Sequence, residues 1–356
     1  MSGFRVNSGY LRGYAGQVEA DRDHGVAQVS DYAGAHGRNF DRFSGLLEPA
    51  QWVESMLVDA WMEMIGKLRQ GLTGTADGLR RTADAYDKID QSTASKLSAF
   101  GNLLGEAESD GAPSAGGGAV AGPFTQGANV AMAPPKDENL VQGVYERIEA
   151  LVGDFTDPVK QVTGYDIIAE WTPVILGDWG ALRRHADAWD QVGKAMEAIE
   201  ADLNLGMGIL MPEWQGGEGT NGGAPAFEKH MRDRVILSCT MYKEIAQLNK
   251  EGFDYAAISY EAIITNGLWL LEYYGVRFRA VVKKVVKALR EVTLNPKTWY
   301  DLIDEVISIV NDYIDFIKNT IKALEISIKQ LIEMIELAIA EVKTIMTFIE
   351  WKAKGN

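Results

Sequence analysis

Apolar residues recur at intervals of three and four along most of this chain, which is the spacing of one face of an α-helix. The longest such stripe lies in residues 295–356 and follows a heptad pattern. Its members are Ile303, Ile307, Val310, Ile314, Ile317, Ile321, Leu324, Ile328, Leu331, Ile335, Ala338, Val342, Ile345 and Ile349. The pattern predicts a long amphipathic helix whose seam forms a helix interface. Because apolar residues also flank the seam, we expect it to pack against two or more helices.

Two further stripes lie within residues 1–100 and predict a helical hairpin. Ser8 is the predicted N-cap of its first helix. The apolar positions of that helix are Leu11, Tyr14, Val18, Val26, Val29 and Tyr32. Those of the second helix are Leu57, Trp61, Met64, Leu68, Leu72, Leu79, Ala83 and Tyr86. Each helix is expected to bury its stripe against the other.

Residues 101–140 interrupt the helical pattern. They are rich in glycine, alanine and proline and carry few large apolar side chains. A segment of this composition has little surface to bury, so the sequence predicts a flexible linker between two helical units.

A second hairpin is predicted in residues 141–294. Its first stripe consists of Leu182, Ala186, Trp189, Val192, Met196, Ile199 and Leu203, and its second of Phe227, Met231, Val235, Met241, Ile245 and Leu248. Pro212 and a glycine-rich turn that contains Trp214-Gln215-Gly216 separate the two stripes. The sequence therefore predicts two antiparallel helices joined at this turn.

Two short motifs in the hairpins resemble export signals. The turn Trp214-Gln215-Gly216 between matched helices resembles the WXG-type substrates of type VII (ESX) secretion. Tyr86 and Asp90, at the end of the first hairpin, resemble the Tyr-x-x-x-Asp/Glu signal of the same substrates, and residues 1–100 are similar to their EspC-like branch. Because four residues make about one helical turn, the Tyr86 phenol and the Asp90 carboxylate should project from one face.

The resemblance implies a protein that is exported in folded form, without a cleaved signal peptide, from the cytoplasm to the cell envelope or the medium. It also implies binding to a helical partner or a second copy, and to a secretion ATPase or chaperone. Members of the family usually divide the two motifs between the chains of a heterodimer. Since this chain carries both, we hypothesise that its hairpins pack on each other as an intramolecular four-helix bundle.

Composition restricts the other functional classes. A net charge of −15 opposes nucleic-acid binding, because an acidic chain repels phosphates. The chain has one cysteine, four scattered histidines and none of the common catalytic or phosphate-binding motifs. Its first residues lack the apolar core of a Sec-type signal peptide. We therefore expect no enzymatic activity, no cofactor and no bound metal, and a function in protein–protein interaction.

Two alternative functions remain open at this stage. The basic amphipathic stretch 277–290, together with the C-terminal helix, would suit a membrane-active effector that docks on anionic lipid. Its lysines would equally suit solvent or the protein's own acidic surface, and we favour that interpretation over membrane contact. The heptad seam would also suit a coiled-coil scaffold or filament.

Overall fold

The protein has an all-α fold, as the sequence predicts. A computed structural model describes residues 5–38, 43, 45–103, 123–136, 179–215, 223–290 and 296–353, together with scattered residues between 143 and 160. The helices within these ranges are α1 (Ser8–Ala20), α2 (Ala27–His36), α3 (Ala50–Leu103), α4 (Gly180–Glu213), α5 (Gly223–His230), α6 (Leu237–Arg290) and α7 (Pro296–Ala353). Short π-helical segments, Asp21–Val26 and Met231–Ile236, join α1 to α2 and α5 to α6, and a 3-10 turn spans Gly45–Leu47.

The first hairpin pairs the continuous rod formed by α1, Asp21–Val26 and α2 with α3, in antiparallel orientation. Arg12 near the start of the rod binds Asp84 near the end of α3, at 2.7 Å. Asn7, rather than Ser8, caps α1, and its side chain accepts hydrogen bonds from two backbone N–H groups of the first turn. The apolar stripes of the two helices face inward, with Leu11 and Leu57 fully buried.

The second hairpin, α4 with α5 and α6, packs directly on the first. The Trp61 and Trp189 rings meet edge to face with centroids 5.2 Å apart, a geometry that contributes about 0.5–1.5 kcal/mol beyond burial. The Tyr14 hydroxyl donates to the Leu203 carbonyl over 2.8 Å. The contacts between residues 8–95 and 180–250 that the four-helix-bundle hypothesis requires are therefore present.

Helix α7 folds back along α6 and also contacts α3, so it has the two neighbouring helices that its wide stripe predicts. Seven positions of the predicted seam are 0–5% exposed, namely Val310, Ile317, Leu324, Ile328, Leu331, Ile335 and Val342, and Ile314 and Ile321 are half-buried.

The prediction is wrong for the first two positions of the seam. Ile303 is 50% exposed and Ile307 is 45% exposed. At this end of α7, Leu302 and Ile309 pack instead against Val281 of α6 in a small separate cluster. The buried face has therefore rotated by about one residue, toward Val281 in the last part of α6.

Part of the predicted flexible linker is ordered. Residues 123–136 form an extended strap along the α1–α2 rod and α4. The Phe124 ring packs on Tyr14, with centroids 5.9 Å apart, and the Tyr32 hydroxyl donates to the Ala133 carbonyl over 2.7 Å. Gly127 adopts a φ of +96° where the strap crosses the backbone of Ala20. The prediction of flexibility does not hold here, because a few anchors suffice to hold an extended segment in a groove.

A two-residue antiparallel strand pair closes one end of the bundle and was not predicted. Strand β1 (Arg5–Val6) pairs with β2 (Trp214–Gln215), with Val6 opposite Trp214. Pairing of this length produces no alternation of apolar and polar residues that a sequence could display. It fixes the start of the chain to the turn that follows α4.

Candidate functional site

Trp214 follows directly on the last residue of α4. Pro212 lies in the final turn of that helix, and the chain leaves the helical conformation at Trp214, where φ is −123°. The indole ring is only 4% exposed and packs on Phe227 of α5, with ring centroids 5.5 Å apart. The Trp214 side chain is therefore packed between α4 and α5 and does not project into solvent.

The two predicted motifs meet at this end of the bundle. The Trp214 indole N–H lies 3.4 Å from the Tyr86 hydroxyl, which accepts its hydrogen bond. Tyr86 is half-buried, whereas Asp90, one turn further along α3, is exposed. Ile89 beside it is 60% exposed. Gly216, the third residue of the predicted turn, lies outside the described residues.

A cavity of about 330 Å³ opens beside the Trp214–Tyr86 contact. Its lining residues come from α3, α5 and the turn, and are Gly74, Thr75, Gly78, Leu79, Thr82, Tyr86, Trp214, Gly223, Phe227 and His230. A Cβ atom built on Gly74 or Gly78 would meet no atom within 4 Å. A methyl group at either position would therefore face open space, and neither glycine permits a close helix contact among the described residues.

Charged groups fix the orientation of α3 at this end. Arg12 binds Asp84 and also Asp87, the latter at 2.6 Å. A hydrogen bond from Ser8, and then the one from Arg12, lower the pKa of Asp87 below its usual range. Because Asp87 directly follows Tyr86, these contacts tie the predicted export motif to the start of the chain.

His230 closes the other side of the cavity. Its Nε2 lies 3.3 Å from the Thr75 hydroxyl. Burial, and to a smaller extent the neighbouring Arg234, lower its pKa, so the ring is neutral at pH 7. The lining thus consists of aromatic rings, one leucine side chain, hydroxyl groups and a neutral imidazole, and the exposed Asp90 carboxylate lies one turn beyond Tyr86 on α3. Such a surface suits recognition of an apolar group next to a positive charge.

The remaining titratable groups lie elsewhere. Within the described ranges, no three His, Cys, Asp or Glu side chains converge so that they could hold a metal ion. Cys239 is fully buried in α6, and burial raises the pKa of its thiol. No helix in the described parts of the chain has the length and apolar character needed to cross a membrane.

Sequence reasoning found three members of the site, namely Tyr86, Asp90 and Trp214. It assigned Phe227 only to a packing stripe, and it did not place Gly74, Gly78 or His230 in a site. The small size of the two glycines within a strong helix was the one available signal, since glycine weakens a helix interior by about 0.5–1 kcal/mol relative to alanine. The seam residues of α7 take no part in this site.

The fold and the site define a class of protein, an all-α bundle of two packed hairpins with an aromatic contact at one end. Comparison with known protein families, with curated proteins and with solved structures finds no match. The likeness to type VII secretion substrates therefore remains a prediction from the two motifs.

Proposed function

We propose that the protein is a type VII secretion substrate whose Tyr86–Asp90 and Trp214 motifs act as one composite export signal. The observation that carries this proposal is the hydrogen bond between the Trp214 indole and the Tyr86 hydroxyl. It joins two residues that are 128 positions apart in the sequence. A machine that reads both motifs together would recognise the chain only when the two hairpins have packed.

The chemistry of the surface indicates how such a partner binds. The exposed Asp90 carboxylate would pair with a basic side chain, and the neighbouring Ile89 and the open cavity would receive apolar groups. A secretion ATPase or an export chaperone with a helix of mixed basic and apolar character fits this description. The proposed function thus rests on protein–protein recognition and involves no bond-making step.

The test is export of a double variant, Tyr86→Ala with Asp90→Ala, from cells that carry a type VII secretion system. We expect the variant to accumulate in the cell pellet and to be lost from the culture supernatant. The chain offers a matched control, because Glu251 and Tyr255 place an acid and a tyrosine four residues apart on the exposed surface of α6. Glu251→Ala with Tyr255→Ala should leave export unchanged.

A second variant separates recognition from folding. Trp214→Phe keeps an aromatic side chain but removes the indole N–H, so the bundle should retain its helical content and unfold within a few degrees of the original protein. Its export should fall. Normal secretion of both the Tyr86/Asp90 and the Trp214 variants would refute the proposal.

A further inference from the structure

The first two seam residues of α7 are exposed although their heptad positions predict burial. Tyr300, which is 69% exposed, lies on the same side of the helix as Ile303 and Ile307. Three large apolar side chains thus lie exposed in one short stretch of the α7 surface, and such a group points to an interaction outside the protein.

Two ion pairs define one edge of the α6–α7 pair near this point. Arg277 binds Asp312 at 3.6 Å, and Lys284 binds Glu305 at 2.8 Å. Each of these pairs is seven residues from the other on both helices, so all four side chains follow the same edge. The four charged side chains of this edge are therefore paired with one another within the protein.

The opposite edge has a different character. A helix turns by about 100° per residue, so Arg279 and Lys283 fall on the far side of α6 from Arg277. By the same rotation, Ile303 and Ile307 fall on the far side of α7 from Glu305. Both basic side chains are exposed, and so is Asp304, which lies one helical turn after Tyr300 on the same side of α7, so the basic charges exceed the acidic one. We call this surface, formed by Arg279, Lys283, Tyr300, Ile303 and Ile307, the basic–apolar edge.

We propose that the basic–apolar edge docks the protein reversibly on an anionic lipid surface. Arg279 and Lys283 would reach the headgroups, and Tyr300 with the two isoleucines would enter the boundary between headgroups and acyl chains. This differs from insertion of the amphipathic stretch 277–290 itself, whose apolar face is already occupied where Val281 packs against α7.

The size and charge of the edge favour lipid over a second protein. Three apolar side chains cover a few hundred Å², below the roughly 600 Å² per partner (about 1,200 Å² in total) at which stable protein interfaces begin. Weak apolar contact assisted by basic residues is sufficient for reversible membrane binding. The net charge of −15 repels anionic lipid elsewhere, so the chain would bind in one orientation.

The test is flotation of the full chain with vesicles of phosphatidylcholine alone or with about one-third phosphatidylglycerol. We expect binding to the anionic vesicles only, and its loss at high salt. Arg279→Gln with Lys283→Gln should lower the partition coefficient about 30-fold, since two basic charges are removed from the membrane surface. Ile303→Ser with Ile307→Ser should lower it as well.

Matched controls make the same kinds of substitution, the loss of two charges or of two apolar side chains, at positions away from the basic–apolar edge. Lys329→Gln with Lys343→Gln removes two exposed charges, and Ile326→Ser with Leu337→Ser removes two exposed apolar side chains. Both controls should bind as the unchanged protein does. Absence of binding to anionic vesicles, or equal losses in the controls, would overturn the proposal. The proposal would also fail if the protein does not bind vesicles but sediments as a dimer, and Ile303→Ser with Ile307→Ser dissociates that dimer. The edge would then bind a second copy of the chain.

Discussion

The His185 imidazole lies 2.8 Å from the Glu54 carboxylate in the interior of the bundle, where the two side chains are 1% and 0% exposed. The contact joins α4 to α3. The rings of Phe43 and Phe253 lie against the imidazole, with centroids 5.2 and 5.3 Å away. Burial raises the pKa of Glu54, and the interaction with His185 opposes that rise.

Removing one partner of this pair should be costly. His185→Ala leaves the Glu54 carboxylate without its imidazole in an apolar site, and we expect the free energy of unfolding to fall by about 3–5 kcal/mol. Adding Glu54→Gln should recover part of the loss, because the uncompensated acid is then gone. Urea unfolding of the two single variants and the double variant measures the coupling. Additive losses would show that the two side chains stabilise the fold independently.

Asp21 gives the fold a specific dependence on pH. It is fully buried and accepts the Ala128 N–H over 2.7 Å. Burial, with a smaller contribution from the neighbouring Asp202, raises its pKa to about 8. An aspartate in the unfolded chain is ionised above about pH 4, so between pH 4 and 8 the folded state holds one more proton. The stabilisation that protonated Asp21 provides is therefore fully present below about pH 4. As the pH rises through this window, the free energy of unfolding falls by about 1.4 kcal/mol per pH unit.

Asp21→Asn isolates this effect. The amide is neutral at every pH, its oxygen can still accept the Ala128 N–H, and its NH₂ group can donate to Asp202. We expect the variant to gain stability relative to the original protein as the pH rises from 5 to 8 in urea titrations. A difference that stays constant with pH would mean that Asp21 is ionised in the folded protein.

Two glycines of α4 provide a test of close packing between hairpins. A Cβ atom on Gly206 would lie 2.5 Å from Tyr14 Cε2, whereas one on Gly208 would meet no atom within 4 Å. Gly206→Ala should lower the free energy of unfolding by about 1–3 kcal/mol through overpacking. Gly208→Ala should raise it by up to about 1 kcal/mol through helix propensity. Chemical unfolding of the two variants gives the comparison, and equal effects would count against close contact of α1 with α4.

The strap can be tested without changing the bundle. A Cβ atom on Gly127 would lie 2.8 Å from the Ala20 carbonyl carbon, and the φ of +96° is unfavourable for alanine. Gly127→Ala should therefore speed hydrogen exchange of the Ala128 amide, which is held by Asp21. Gly16→Ala, where a Cβ meets no atom within 4 Å, is the control. Unchanged exchange at Ala128 would show that the strap is held without this contact.

The helices and their pairing could be predicted because each buries a periodic stripe. Tyr14 and Trp189, for example, were assigned to inward faces on spacing alone, and both are buried. Periodicity reports which face of a helix is apolar but not how far a neighbour extends, so Ile303 and Ile307 were assigned to an interface that α6 does not complete.

The remaining features depend on single contacts between distant residues. The Tyr86 hydroxyl and the Trp214 indole could each be named from a motif, yet their contact follows from the packing of two hairpins, which no local pattern encodes. The strap depends on Phe124 fitting beside Gly13, where an added Cβ would lie 2.5 Å from the ring. A single anchoring side chain of this kind cannot be recognised from the low-complexity composition of the segment.

The pairing of β1 with β2 has a practical consequence for work on this protein. Anything attached in front of Arg5 emerges beside the contact of Tyr86 with Trp214, because Val6 lies opposite Trp214. An affinity tag or fluorescent fusion placed there would shield the surface whose recognition an export assay is meant to measure.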